Sequence, residues 1–545
     1  MKKAFYPFIV LALLVQSCSF KRKADLIVHN ATVYTVDSTF STAQAFAVKD
    51  GKFIEVGSSA DILNAYEADS VADLGGKPVY PGFYDPHAHF MGLGQMLDQA
   101  DLVGAASYEE VISRLKTYHA AHPDAMWIIG RGWDQNDWPD KRFPTKEKLD
   151  AAFPNIPVAL TRVDGHALLV NSKALRLAQI TAGTKMTGGD VLLENGQPTG
   201  VLIDNAMQMV RRVIPQPEEQ DRERMLLAAQ KVCLSLGLTT VSDAGLNRPD
   251  IELVEKMQKD GRLKIRDYVM ISLGEPNIDY YLKRGPFQTD RLTVRSFKLY
   301  ADGALGSRGA CLRQPYTDRP ETAGFLLLSP QELERILTLL ANSSFQANTH
   351  CIGDSANHLI LDLYGKLLKG KNDRRWRIEH AQVVSPEDFW KFGRYSVIPS
   401  VQPTHATSDM YWAEERLGPV RVKGAYAFKD LMKQNGLVSF GSDFPVEAPN
   451  PLFGFHSAVA RVDAKEYPKG GYQMENAVDR ASALKAMTRW AAFACFEDHL
   501  RGSIEPGKQA DFVVLQQDIM KIPVPQLRNV KTAQTWIGGE KLFEL

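Results

Sequence analysis

Apolar and polar residues alternate in short runs at the two ends of the chain. Asp25-Leu26-Ile27-Val28-His29-Asn30, Thr32-Val33-Tyr34-Thr35-Val36, Ala45-Phe46-Ala47-Val48 and Phe53-Ile54-Glu55-Val56-Gly57 read as strands. The Asp50-Gly51 pair between the last two is a two-residue hairpin signal. The pattern over residues 24–79 predicts a small antiparallel unit, too short to bury much core alone. It returns after residue 499, in Gly507–Leu515, in Val530–Ile537 and around a hairpin at Gly538-Gly539. The two ends are therefore expected to form one small discontinuous β-sandwich, split by what lies between.

Between residues 80 and 498 the period changes. Apolar runs alternate with stretches of helical spacing such as Arg222–Leu236, as in a parallel α/β sheet. Strand-like runs close on His89, Asp243, Ile271, Asp302, His350, His380, Gln402 and Asp443. Eight such strands predict an α/β fold of the TIM (β/α)8 type, whose chemistry sits at the C-terminal strand ends. The stretch from Gly92 to about Asn205 is too long for a simple βα connection, and is expected to be a lid or subdomain inserted over the site.

Composition adds exclusions. The chain has 64 Lys plus Arg against 64 Asp plus Glu, so nothing in its charge forms a footprint for nucleic acid. Lys2, Lys3 and the apolar Ala4–Val15 form a leader too short to span a bilayer. Leu14-Val15-Gln16-Ser17-Cys18 resembles a bacterial lipobox. That resemblance implies a lipoprotein signal peptide ending at this point, with Cys18 lipidated and the protein anchored in the cell envelope. Ser19, in place of Asp, implies the outer membrane. Cys233, Cys311, Cys351 and Cys495 form no Cys-x-x-Cys pair and are expected to be free buried thiols.

The candidate chemistry lies at the strand ends. In Asp85-Pro86-His87-Ala88-His89 the two histidines are two apart on a strand, so both imidazoles face one side. Imidazole suits zinc, nickel, iron or manganese better than calcium or magnesium. His350 and His380 each terminate an apolar strand, and Asp443 ends the last one. In one barrel mouth, these residues read as ligands of a divalent transition metal, with zinc the expected ion. A metal brings the pKa of its water near neutrality, and an adjacent carboxylate such as Asp443 can move the proton. Lys298, between Phe297 and Leu299, would bury a costly charge.

The ordered set Pro-Gly-Phe-x-Asp-x-His-x-His, Lys298, Thr-His-x-x-Gly-Asp, Arg-Ile-Glu-His-Ala-Gln and Gly-Ser-Asp-x-Pro resembles the amidohydrolase superfamily. More narrowly, Lys298–Arg308 and Asp164-Gly165-His166 resemble the branch containing N-substituted formamide deformylases. The resemblance implies that His87 and His89 hold one metal and His350 and His380 a second. It implies Lys298 as a carboxylated, bridging ligand and Asp443 as ligand and base. His166 would polarise or hold the substrate carbonyl. Trp133, Asp134, Arg308 and His405 are weaker candidates for the substrate pocket. The expected reaction is hydrolysis of a non-peptide C–N bond in a small amide, formamide or cyclic imide. Ester or lactone hydrolysis would use the same site. A binding lipoprotein without chemistry is opposed by the completeness of the ligand set.

Overall fold

The computed structural model describes residues 21–123, 125–215 and 217–545. The apolar runs of the middle region lie side by side as β1 (Phe83–Ala88), β2 (Leu238–Leu246), β3 (Arg266–Ser272), β4 (Leu292–Tyr300), β5 (Gln346–Cys351), β6 (Arg377–His380), β7 (Ile398–Val401) and β8 (Ser439–Phe440). Every neighbouring pair from β1 to β8 is parallel. The seam between β8 and β1 is stitched just beyond β8, where Asp443 N–H donates to His87 O and His89 N–H to Phe444 O, both at 2.8 Å. The fold is a TIM-like α/β barrel.

The helices around it follow the sequence signals that start and bury them. Pro330–Ala341 begins with Ser329, whose side chain accepts from Glu332 N–H at 3.2 Å, and has Pro330 in its first turn. Its Leu333, Ile336, Leu337 and Leu340 are buried at helical spacing against the barrel. The strand β8 is shorter than the apolar run that predicts it. At Gly441 a Cβ would fall 2.8 Å from His87 O, so only glycine lets the chain close on β1.

The chain ends build two stacked sheets. One has the order Lys52–Gly57, Ala45–Lys49, Arg22–His29, Tyr66–Asp73. The other runs Glu540–Glu544, Thr532–Ile537, Phe512–Leu515, Pro78–Pro81, Thr32–Tyr34, Thr42–Ala43, mixing strands from both ends of the chain. Phe46, Phe53, Val79, Phe512 and Trp536 share the core that both sheets contribute to. Asp50 and Gly51 both take positive φ (50° and 72°), as a two-residue hairpin of this hand requires. The N-terminal unit is not purely antiparallel. Tyr66–Asp73 pairs in parallel with Arg22–His29, after a return path that includes the helix Ser59–Ala65.

The stretch after β1 builds a sheet of its own. It forms a six-stranded mixed sheet, in the order Gly189–Glu194, Gln197–Asp204, Ala167–Val170, Val158–Arg162, Ile128–Trp133, Ala100–Asp101. Separate apolar clusters support it, one around Leu102, Trp133 and Leu160, another around Leu168, Val170 and Met207. Cys233, Cys351 and Cys495 are buried free thiols, and Cys311 is half-buried. Among the described residues no helix is long and apolar enough to cross a membrane. Cys18 and the leader lie outside the described residues.

Candidate metal centre and active-site cavity

Four histidines, His87, His89, His380 and His405, gather around Asp443. His89 Nε2 lies 3.0 Å and His87 Nε2 3.4 Å from Asp443 Oδ1. His87, His89 and Asp443 form one group of potential ligands with donor atoms within 4.8 Å of one another, and His380, His405 and Asp443 form a second. His405 stands on the helix Pro403–Asp409 that follows β7, and its Nε2 lies 4.0 Å from Asp443 Oδ2. His350 joins neither group. Its ring is 4.5 Å from that of His380, and its Nε2 lies 3.4 Å from Gly303 O and 3.8 Å from Asp302 Oδ1. Lys298 Nζ lies 3.1 Å from His87 Nε2.

The surrounding residues fix which ring atom faces inward. His87 Nδ1 is bound by Glu379, whose carboxylate is itself clamped by Arg377. His87 therefore presents Nε2 to Asp443 and Lys298. His380 Nδ1 is 2.8 Å from Gln402 Oε1, which fixes its tautomer in the same way. Asp85 accepts from His87 N–H at 3.1 Å and from Ser442 Oγ at 2.6 Å, tying the β1 end to the residue before Asp443. His380 and Asp443 hold positive φ, 72° and 60°, a strained conformation for such residues and one that gathers at functional sites.

Burial drives His89, His350 and His380 below the ordinary imidazole range, so they favour the neutral form that ligates metals. Burial opposes the charge of Asp443, but the imidazoles of His87, His89 and His380 outweigh it and hold it well below the carboxylate range. Burial lowers Lys298 to about 8. Asp443 Oδ1 and His405 Nε2 are buried and accept or donate no hydrogen bond among the described residues. Neutral imidazoles around an ionised carboxylate with an unsatisfied oxygen fit a divalent transition-metal ion.

A cavity of about 460 Å³ opens above this cluster. The barrel supplies His350, His380, His405 and Asp443 to its wall, and the insertion supplies Asp134, Arg162, Asp164 and His166. Arg162 is held by Asp134 and by Asp164 at 2.6 Å. Trp133 does not reach the cavity. It is buried in the insertion, where its indole N–H donates to Leu160 O at 2.7 Å and its ring packs on Trp138 and Phe143. Its position on an apolar strand drew it into the core, one residue before the cavity-lining Asp134. Arg308 is likewise outside the lining, paired with Asp318 at 2.7 Å.

A family model described as the amidohydrolase family matches residues 70–543. The chain belongs to the amidohydrolase family. This amidohydrolase is 33% identical to the protein LONG AFTER FAR-RED 3 of Arabidopsis thaliana over 539 residues, 95% of this chain and 92% of that protein. It is 26% identical to an N-substituted formamide deformylase of Arthrobacter pascens over 550 residues, 95% and 98% of the two chains. A crystal structure described as an uncharacterized metal-dependent hydrolase from Pyrococcus horikoshii OT3 superposes with a TM-score of 0.75 at 30% identity, covering 92% of this chain and 99% of that one.

Several residues of this amidohydrolase escaped the sequence reading. Glu379 sits beside His380 in the quoted Arg-Ile-Glu-His-Ala-Gln motif, and a buried carboxylate one residue from a candidate ligand is a signal that was available. Gln402 and Asp204 carry no local signal, because their partners lie 22 and 38 residues away.

Proposed function

We propose that this amidohydrolase hydrolyses a non-peptide C–N bond in a small amide, with N-substituted formamides and cyclic imides as the substrate class. In this reading one or two divalent ions, zinc foremost, are held by His87, His89, His350, His380 and Asp443. When bound, the ion acts as a Lewis acid and lowers the pKa of water at the site. The observation that carries the reading is the placement of Asp443 Oδ1, buried without a hydrogen bond and within 3.4 Å of two imidazole nitrogens, beneath a cavity of small-molecule size. Asp443 accepts the proton of the attacking water and delivers it to the departing nitrogen. Arg377, Glu379 and Gln402 keep the imidazoles turned inward while this happens. Lys298, pushed down to about 8 by burial, has an amine fraction able to add CO₂ and become an anionic oxygen ligand. The formamide deformylase similarity supports the choice of bond. A lipid anchor at Cys18 would place the enzyme in the bacterial cell envelope.

The test combines elemental analysis of the protein purified without its leader, the His87→Ala/His89→Ala variant, and a screen of formamides, imides, esters and lactones. About one to two zinc or manganese ions per chain, lost in the variant, together with turnover of an amide, is the expected result. A folded protein that takes up no metal when supplied with zinc or manganese overturns the reading. Turnover confined to esters or lactones overturns the choice of bond.

A further inference from the structure

His166 and Asp204 both come from the insertion, and they meet at the cavity. His166 Nδ1 lies 2.5 Å from Asp204 Oδ1. An ionised carboxylate only accepts, so the ring proton of this contact sits on Nδ1. The opposite edge, Nε2, has no hydrogen-bond partner among the described residues, and the ring lines the cavity with its centroid 5.2 Å from that of His350.

Asp204 is seated on the barrel as well. It closes the strand Gln197–Asp204 with φ at 47°, a left-handed conformation that carries a strain cost. Its carboxylate rests on the loop after β4. A Cβ on Gly303 or on Gly309 would come within 2.5 Å of Asp204 Oδ2, and one on Gly306 within 3.1 Å of the Arg162 guanidinium. Glycine at every third position of this loop therefore lets two charged groups of the insertion sit flush on the barrel. Gly303 O also faces His350 Nε2 at 3.4 Å, so one loop locates both histidines.

We propose that Asp204 is a positioning residue that holds His166 with Nδ1 protonated and Nε2 aimed at the bound substrate, so that the insertion supplies a catalytic group to a centre otherwise built by the barrel. The proposal rests on reading the cavity as a hydrolytic site. A carboxylate on the far nitrogen fixes both tautomer and ring orientation, as it does for metal-bound histidines.

The alternative is that Asp204 merely clamps the insertion to the glycine loop, and a double-mutant cycle separates the two. With an N-substituted formamide as probe and the metal-loaded protein, Asp204→Asn is expected to lower kcat by about 10- to 100-fold, the range for lost orienting partners, with KM little changed. In a His166→Gln background the same change is expected to cost nothing further. An equal loss in both backgrounds overturns the proposal. A second readout does not depend on turnover. In ¹⁵N-histidine-labelled protein, the His166 resonance, assigned by its absence in His166→Gln, is expected to show the proton on Nδ1 and to lose that pattern in Asp204→Asn. A pattern unchanged in Asp204→Asn overturns the proposal even if the probe is not a substrate. Absence of any amide, ester or lactone turnover by the wild type, with the tautomer response intact, would instead remove the hydrolytic reading.

Discussion

Asp443 concentrates several demands on one side chain. It is ionised although buried, strained at φ 60°, and close to imidazoles from β1 and the residue just past it, from the end of β6 and from the helix after β7. Asp443→Asn keeps the shape but removes the charge and the proton acceptor. Loss of general-base help alone is worth about 100- to 10,000-fold, so amide turnover is expected to fall by at least that much, as steady-state assays would show. Gly441→Ala tests the geometry instead. The new methyl would lie 2.8 Å from His87 O and 2.9 Å from Asp85 Oδ1, so the seam must part. Overpacking of this kind costs about 1–3 kcal/mol, and the expected signature is a lower melting temperature together with reduced metal content. Sequence made His87, His89, His380 and Asp443 legible because each ends an apolar run, where a polar residue has few structural reasons to be. It did not separate Trp133 from Asp134. On a strand these neighbours face opposite ways, and which face meets the cavity depends on packing that one chain segment does not encode.

Between elements, the Arg266–Asp511 pair joins β3 to the sheet of the C-terminal strands. Arg266 Nε and Nη2 donate to the two Asp511 oxygens at 2.7 and 3.0 Å, and both side chains are buried. Burial alone would raise Asp511, but the guanidinium outweighs it and holds the carboxyl below its ordinary value. A depressed carboxyl pKa means that the unfolded chain binds more protons, so this contribution is present above about pH 4, the unfolded value, and is lost as pH falls through the folded one. Asp511→Asn leaves the Arg266 charge uncompensated and is expected to cost about 3–5 kcal/mol at pH 7, with the gap to wild type closing on acidification. Thermal unfolding of both proteins from pH 7 to pH 3 checks the sign. Most elements were legible, because period-two runs and Asp-Gly or Gly-Gly turns announce strands and hairpins locally. The ordered sheet of the insertion was not. Val158–Arg162 pairs with Ile128–Trp133 on one side and Ala167–Val170 on the other, and Ala167–Val170 pairs with Gln197–Asp204, through register that no short-range signal sets.

For the whole molecule, metal and fold are linked through the seam, because the same residues that would hold the ion carry its backbone hydrogen bonds. An ion that binds only the folded state at 100 times its Kd adds about 2.7 kcal/mol. Stripping with a chelator is therefore expected to lower the melting temperature by a few degrees, reversed by adding zinc, and to do so much less in His87→Ala/His89→Ala. Differential scanning calorimetry would register both shifts. The barrel was legible as a whole from its eight strand ends, whereas the stacking of two distant chain ends needed the register of Phe512–Leu515 against Pro78–Pro81 to become concrete.

The seam also sets a schedule for biosynthesis. Asp443 leaves the ribosome more than 350 residues after His89. At translation rates of about 5–20 residues per second, that interval is roughly 20–70 s. Throughout it, β1 has one edge waiting for a strand that has not yet been made. A nascent chain therefore carries no hydrolytic activity before Asp443 has been made, and its long vulnerable phase is the period in which a chaperone would have to shield that edge.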